Sequence, residues 1–186
     1  MAGHRVCPWW LGYLLASPFR RVWYNPTAIL GGHVRAGMTV FEPGPGMGFF
    51  TLELARLVGA SGRVVAVDVQ SKMLNALQRR LARAGLLERV DARLARPDSM
   101  GLNGLDGAVD FALVFAVVHE LPSADAFFSE TSQALKPGAT LLLAEPSGHV
   151  TAPEFDAELA CAARTGLAAV EYPSIRRSRS ALLRKA

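Results

Sequence analysis

The chain has 186 residues, of which 51% are apolar and 19% charged, and its formal net charge is +4. This composition excludes an intrinsically disordered chain, and the length fits one domain or one domain with a small extension. Two cysteines, Cys7 and Cys161, form no CxxC pair or metal-finger spacing and are too few for a disulfide scaffold. We expect a reducing, cytoplasmic environment, and the mild positive charge is not by itself a nucleic-acid signature.

The apolar run at residues 9–16 is preceded by His4 and Arg5 and soon interrupted by Pro18. It is shorter than the ~20 residues that a membrane span needs, and no A-x-A cleavage site follows it. We expect an amphipathic helix on the domain and no stable membrane insertion. Residues 1–36 are predicted to be a prefix of two short helical pieces, separated at Asn25 and Pro26.

From residue 38 onward, apolar runs alternate with segments of helical periodicity. Strands are predicted at residues 38–41, 64–67, 89–94, 111–115, 141–144, 167–172 and 178–183, and helices at 49–57, 71–84, 122–135 and 153–164. A Lys-Pro-Gly turn at residues 136–138 is expected to close the third helix. Continuous apolar strands alternating with amphipathic helices are typical of an α/β protein whose parallel sheet is covered on both faces.

The first of these strands leads into an acid and three alternating glycines, namely Glu42, Gly44, Gly46 and Gly48. Glycines allow the backbone to approach a ligand closely and to adopt positive φ values. The spacing does not fit the dinucleotide fingerprint G-x-G-x-x-G in either register, and the lysine of a phosphate-binding loop is missing. The loop is therefore predicted to bind a ligand other than a dinucleotide or a nucleoside triphosphate.

The acid-x-G-x-G-x-G pattern resembles the first motif of the class I S-adenosylmethionine-dependent methyltransferases, and the resemblance runs from about residue 30 to the end. That cofactor carries an ammonium and a sulfonium but no phosphate, so a carboxylate at the strand end suits it electrostatically. The resemblance implies a Rossmann-like fold with a seven-stranded, mostly parallel sheet whose last strand is antiparallel. Residues 37–186 would form this domain, and residues 1–36 a short helical lid.

The resemblance also implies a set of cofactor contacts. Asp68 would bind the ribose hydroxyls, and Val69, Gln70 and Met73 would line the adenine. Asp98 would accept from the adenine amino group, and residues 116–117 would touch the methionine end through backbone carbonyls. A simpler interpretation of Asp98 is an acid that begins a loop. The implied contacts are Glu42, Gly44, Pro45, Gly46, Gly48, Asp68, Val69, Gln70, Met73, Asp98, Ser99, Ala116 and Val117.

The segment FAVVHELP at residues 115–122 looks like the "LHHLPD"-type segment of small-molecule methyltransferases, including the ubiquinone/menaquinone C-methylating type. His119, Glu145 and His149 follow predicted strands, so they are candidate catalytic residues around a methyl acceptor. The candidate substrate pocket adds five residues of the prefix, namely Cys7, Trp9, Trp10, Tyr13 and His33. The alternatives are that His119 and Glu120 anchor the next helix and that residues 7–10 pack in the core. No spacing predicts a metal site.

We therefore expect a methyltransferase that moves a methyl group from S-adenosylmethionine to a small-molecule acceptor and releases S-adenosylhomocysteine. RNA methylation is an alternative, because residues 174–179 are basic, although this segment also fits a solvated turn. A second alternative is a non-catalytic S-adenosylmethionine-binding partner protein, and an NAD oxidoreductase ranks last. Nucleic acid is not the expected partner, and the protein could be a monomer or a homodimer.

Overall fold

A computed structural model describes residues 24–96 and 99–186 of the chain. The first helical piece of the predicted lid, with Cys7, Trp9, Trp10 and Tyr13, lies outside the described residues, and so does Asp98. The expectations for these residues stay predictions.

Five helices and seven strands follow one another along the described chain, with two short 3₁₀ helices between them. The helices are α1 (Pro26–Leu30), α2 (Thr51–Leu57), α3 (Ser71–Arg83), α4 (Ala124–Ala134) and α5 (Ala152–Arg164). The strands are β1 (Thr39–Pro43), β2 (Arg63–Asp68), β3 (Val90–Leu94), β4 (Val109–Phe115), β5 (Leu135–Pro146), β6 (Leu167–Glu171) and β7 (Ser178–Lys185). The 3₁₀ helices are Leu87–Arg89 and Val118–Glu120.

The seven strands form one sheet in the order β3-β2-β1-β4-β5-β7-β6. β1 pairs in parallel with β2, β2 with β3, and β4 with β5, whereas β7 is antiparallel to both β5 and β6. This is the Rossmann-like class I methyltransferase fold, so the predicted α/β architecture with an antiparallel last strand is confirmed.

The chain divides into two compact units, which among the described residues are 24–96 and 99–186. In the first unit, residues 64–67 of β2 are buried, as a strand with two covered faces requires. Helix α3 buries Met73, Leu77 and Leu81 on one face, and Gly85 follows it at φ +66°, as the helical periodicity predicts.

In the second unit, the core is built from β4, β5 and α4, with Phe111, Leu113, Phe127 and Phe128 fully or almost fully buried. Helix α4 begins after Ser123, whose hydroxyl oxygen accepts a hydrogen bond from Ala126 N at 3.1 Å, and not at residue 122. Helix α5 begins with a capping box in which the Glu154 carboxylate accepts from Thr151 N at 2.7 Å.

Two further sequence predictions differ from the structure. The Lys-Pro-Gly segment at residues 136–138 lies inside β5 and is not a separate turn. The segment interrupts the regular pairing of β5 with β4, because the register moves from Leu135 opposite Val109 to Thr140 opposite Phe111. Helix α2 begins at Thr51 and not at residue 49, because residues 46–50 belong to the glycine turn.

Within the described part of the chain, no helix has the length and apolar character that crossing a membrane requires.

Candidate active site

The glycine loop of the first unit leaves the end of β1 and is tied to β2. Glu42 lies in β1 and is buried. Gly44 N donates to Val67 O at 2.8 Å, and Gly48 N donates back to Pro45 O at 2.9 Å. These two hydrogen bonds fix the backbone at both ends of the loop.

Two glycines of this loop have different roles. Both have positive φ, +55° at Gly46 and +86° at Gly48. A Cβ added at Gly46 would meet no atom of the described residues within 4 Å, whereas one at Gly48 would lie 2.4 Å from Leu77 Cδ1 and 2.8 Å from Leu52 Cδ1. Gly48 thus allows the loop to pack on the two helices that follow it, and Gly46 presents bare backbone to open space where a ligand can approach.

Asp68 connects the loop to the end of β2. It is 8% exposed, and its two carboxylate oxygens accept from Gln70 N at 2.9 Å and from Gly46 N at 3.2 Å. An ionised carboxylate has about four lone-pair sites and can accept from several donors at once. The side chain therefore shapes the glycine loop at the end of β2, where the ribose of the cofactor is predicted to bind.

The residues predicted to line an adenine ring are placed differently from one another. Val69 is 48% exposed directly after β2, which suits an apolar contact with a ring. Gln70 is the residue before α3, whereas Met73 is buried in a cluster with Met47 and Ala76. Together, bare backbone at Gly46, the Asp68 carboxylate and the exposed Val69 fit the chemistry of S-adenosylmethionine.

His33 belongs to the same unit and lies in the turn after α1, where its backbone N donates to Leu30 O at 2.9 Å. Its side chain is half-buried. Its predicted place in a substrate pocket stays a prediction.

In the second unit, the segment after β4 is held by a fully buried carboxylate. Ala116 has φ +58°, unusual for a residue with a side chain, and its N donates to Ala144 O at 2.8 Å. Glu145, at the end of β5, accepts from Val117 N at 3.0 Å and from Val118 N at 2.8 Å through Oε1. Glu145 thus satisfies two backbone donors that the strained turn at Ala116 leaves without strand partners.

The second oxygen of Glu145 is hydrogen-bonded to Nδ1 of His119. The His119 side chain is 22% exposed, and its Nε2 lies 4.0 Å from Oε1 of Glu120. The hydrogen bond with Glu145 raises the pKa of His119 above its ordinary value, against the lowering effect of burial, and the negative charges of Glu145, Glu120 and Glu158 add to the rise. A carboxylate on Nδ1 orients the imidazole and increases the basicity of Nε2.

His149 lies in the turn after β5, and its ring centroid is 6.0 Å from that of His119 at an interplanar angle of 63°. The structure therefore brings together the three predicted catalytic residues His119, Glu145 and His149 at the carboxyl ends of β4 and β5. Among the described residues, no group of three metal-ligating side chains could hold a metal ion.

Sequence reasoning did not include Glu158, a further member of this cluster. It is on α5, is 9% exposed, and its Oε2 is buried with no hydrogen-bond partner among the described residues. Burial raises the pKa of Glu158 to about 8, and the charge of Glu145 adds to this rise. A sequence signal existed, because Phe155, Glu158 and Ala162 share the buried face of α5, where a carboxyl is rare.

Ser99 has contacts of a structural kind. Its hydroxyl donates to Glu130 Oε1 at 3.0 Å and accepts from Gly101 N at 2.9 Å. Glu130 also accepts from Met100 N at 2.8 Å and from Leu102 N at 3.0 Å, so this carboxylate on α4 fixes the loop that enters the second unit. Sequence reasoning missed Glu130, since an acid in a helix carries no sign of which loop it holds.

The model of the family described as "Methyltransferase domain" matches residues 40–138, which are more than half of the chain. The protein therefore belongs to this family, and its domain is a class I S-adenosylmethionine-dependent methyltransferase domain. This confirms the resemblance inferred from the glycine loop, and use of S-adenosylmethionine follows from the family.

Several relatives are ubiquinone/menaquinone biosynthesis C-methyltransferases named UbiE. The protein from Pasteurella multocida is 29% identical over 140 residues, which are 75% of this chain and 51% of the relative. The protein from Teredinibacter turnerae is 30% identical over 132 residues, covering 71% and 52% of the two chains. The chain thus spans about half the length of these relatives.

Solved structures support the fold. A methyltransferase from Aquifex aeolicus superposes with a TM-score of 0.87 at 23% identity, covering 97% of this chain and all of the other. An O-methyltransferase from Thermotoga maritima gives a TM-score of 0.69 at 18% identity, covering 87% of this chain and 64% of the other. At these identities the similarity concerns the fold alone.

Proposed function

We propose that the protein transfers the methyl group of S-adenosylmethionine to a small-molecule acceptor, and that His119 takes the proton which the acceptor loses. The observation that carries the proposal is the His119–Glu145 pair, which follows β4 and β5. It is a partly buried imidazole, 22% exposed, oriented by a fully buried carboxylate, the arrangement of a general base.

The cofactor side of the proposal rests on the first unit. S-adenosylmethionine supplies an electrophilic methyl group on a sulfonium. Asp68 would accept from its ribose hydroxyls, Gly46 would allow close approach of the backbone, and Val69 would cover an adenine face. The Glu42 carboxylate would supply a negative charge for the ammonium of the cofactor, at the start of the loop that contains Gly44, Pro45 and Gly48.

The acceptor side rests on the chemistry of His119. Glu145 holds Nδ1, so Nε2 is the nitrogen that can take a proton. A protonated imidazole cannot accept a second proton, so His119 must be neutral to act as a base. Because its pKa is raised, His119 becomes neutral only at a higher pH than an ordinary histidine. The reaction is then expected to accelerate as pH rises through the pKa of His119. His149 would line the same pocket.

A small acceptor is supported by the names of the relatives, which are C-methyltransferases of quinone biosynthesis. The RNA alternative gains little from the basic segment, because Arg179 Nε donates to Val150 O at 3.0 Å and is used within the fold. A non-catalytic binding protein would not need a base poised beside a carboxylate, so this alternative ranks below methyl transfer.

The first test is calorimetric titration of the purified chain with S-adenosylhomocysteine. Wild-type protein is expected to bind, and Asp68→Ala to bind more than tenfold more weakly, because charged hydrogen bonds are worth about 1.5–3 kcal/mol. Asp91→Asn is a matched control, since this carboxylate of the same unit pairs with Arg93 on β3. Absence of binding to the wild-type chain would overturn the proposal.

A further inference from the structure

Helix α3 holds the glycine loop at residue 47. The Met47 side chain is buried in a cluster with Met73 and Ala76 of this helix. Arg80 lies one turn further along the same face of α3, because residues three, four and seven positions apart share one face of a helix. Its guanidinium donates a hydrogen bond through Nη1 to the carbonyl oxygen of Met47. The helix therefore contacts both the side chain and the backbone of this loop residue.

The hydrogen bond from Arg80 fixes one peptide group of the loop. The carbonyl of Met47 belongs to the same peptide as the N–H of Gly48, which donates to Pro45 O at 2.9 Å. A peptide is planar, so holding its C=O and its N–H fixes its orientation. Gly46 comes just before it at φ +55°, and a glycine populates positive φ about as readily as negative φ. The form of the loop at this point therefore depends on its hydrogen bonds and not on steric restriction of the chain.

The charges of the two side chains that hold the loop match the backbone atoms that they bind. The Asp68 carboxylate, at the end of β2, accepts from Gly46 N at 3.2 Å, whereas the Arg80 guanidinium, on α3, donates to Met47 O. Charge-assisted hydrogen bonds of this kind are about twice as strong as neutral ones. Two consecutive loop residues are thus held by two different elements of the first unit.

We propose that Arg80 is a positioning residue for the cofactor, which keeps the glycine loop in the conformation that binds S-adenosylmethionine. Without its hydrogen bond the Met47 carbonyl can turn, and only a fraction of the free protein keeps the binding conformation. The apparent affinity for the cofactor then falls in proportion to that fraction. This inference rests on the proposed function, since it takes the glycine loop as the site of that cofactor.

Four variants separate this role from others. Arg80→Met removes the donor, and so does Arg80→Gln, whose side chain ends at the position of the arginine Nε and is too short for the Met47 carbonyl. Arg80→Lys keeps a charged donor on a long side chain. Arg79→Met removes the neighbouring arginine, which is exposed on the same helix, and is the matched control.

The first measurement is amide hydrogen exchange by NMR on the protein without cofactor. We expect Gly48 N–H to exchange about tenfold faster in Arg80→Met and Arg80→Gln than in wild type, because the peptide loses its second hydrogen bond. Gly44 N–H donates to Val67 O at 2.8 Å, at the junction of the loop with β2, and should keep the wild-type rate.

The second measurement is calorimetric titration with S-adenosylhomocysteine. Affinity should fall about tenfold in Arg80→Met and Arg80→Gln, the loss of one charge-assisted hydrogen bond. Arg80→Lys should bind within about threefold of wild type, and Arg79→Met should bind as wild type does.

An unchanged Gly48 exchange rate, or equal affinities of wild type and Arg80→Met, would overturn the inference and leave the proposed methyl transfer standing. Equal acceleration of Gly44 and Gly48 would also overturn it, since Arg80 would then stabilise the whole unit and not the loop. Failure of the wild-type chain to bind S-adenosylhomocysteine would instead remove the proposed function and this inference together. If Arg80→Met does not fold, Arg80→Gln, with a polar end at this partly exposed position, provides both comparisons.

Discussion

At the scale of single residues, Glu145 has two tasks. Its Oε1 accepts from two backbone donors after β4, and its Oε2 orients His119. Removing the side chain would remove the turn and the partner of His119 together. Glu145→Gln keeps an acceptor oxygen for the backbone and replaces the charged acceptor beside Nδ1 of His119 by a neutral NH2 donor. The isosteric change is thus the informative one.

We expect Glu145→Gln to lower the pKa of His119, because the hydrogen bond with Glu145 is the largest cause of its rise. The acid limb of the rate profile should move to lower pH, since His119 would lose its proton earlier, and the maximal rate should fall because the imidazole is less basic. Histidine NMR titration of both proteins measures the pKa directly. An unchanged His119 pKa would show that Glu145 does not control this imidazole.

Replacing the base itself should affect turnover and not cofactor binding. We expect His119→Gln to reduce kcat by about 10²–10⁴-fold, the usual contribution of a general base. The control is His149→Gln, which changes the neighbouring ring at 6.0 Å and should cost less. Single-turnover rates with the acceptor found by screening, together with calorimetric affinity for S-adenosylhomocysteine, distinguish the two. A His119→Gln rate equal to wild type would mean that the acceptor needs no base.

At the scale of elements, the glycine loop and the helices after it form one packing unit. Gly46 and Gly48 look equivalent in the sequence, yet only Gly48 is enclosed by Leu52 of α2 and Leu77 of α3. The two positions therefore separate binding from stability.

We expect Gly48→Ala to destabilise the protein by roughly 1–3 kcal/mol more than Gly46→Ala, because both incur the positive-φ cost but only Gly48→Ala overpacks. Gly46→Ala should instead weaken S-adenosylhomocysteine binding by more than tenfold, since its methyl group enters the open space over the loop. Urea unfolding and calorimetry measure the two effects. Equal stabilities of the two variants would contradict this assignment.

Much of the element pattern was predictable. Buried strands such as residues 64–67 are continuous apolar runs, and the one-sided pattern of α3 together with Gly85 marks a helix and its end. The predicted bounds were wrong where tertiary contacts decide them, as in β5, which pairs with β4 on both sides of the Lys-Pro-Gly segment. No local propensity contains that information.

The site was predictable to the same degree. His119, Glu145 and His149 follow strands that end at one sheet edge, so their proximity was expected. Their different roles were not expected, because these roles depend on which carboxylate accepts hydrogen bonds from the backbone N–H groups of residues 117–118. Glu158 was missed because it comes from a helix, and its relation to a strand end is a matter of packing.

At the scale of the whole molecule, the cluster makes stability depend on pH. Glu158 has a folded-state pKa of about 8, above the ordinary carboxyl value, so the folded protein holds a proton that the unfolded chain releases. The contribution of Glu158 to the free energy of unfolding is complete below the ordinary carboxyl pKa, and it is lost as pH rises to about 8. His119, whose pKa is also raised, contributes in the same direction, with loss beginning above its ordinary value.

We therefore expect the free energy of unfolding to fall by about 1.4 kcal/mol per pH unit between the ordinary carboxyl pKa and about 8, from Glu158 alone. Glu158→Gln should remove this slope and be more stable than wild type at the alkaline end. Urea unfolding at a series of pH values provides the test, with Asp156→Asn as control. A variant with the wild-type slope would show that Glu158 ionises normally in the folded protein.

The contact at Gly48 has an evolutionary consequence. Because a Cβ there would lie 2.4 Å from Leu77 Cδ1, the two positions compete for one volume, and a side chain at residue 48 needs the Leu77 side chain to shift or to be shorter. Across related sequences the two should change together, and Gly48→Ala combined with Leu77→Val should be more stable than Gly48→Ala alone. Their coupling energy in a double-mutant cycle would be the laboratory equivalent of that covariation.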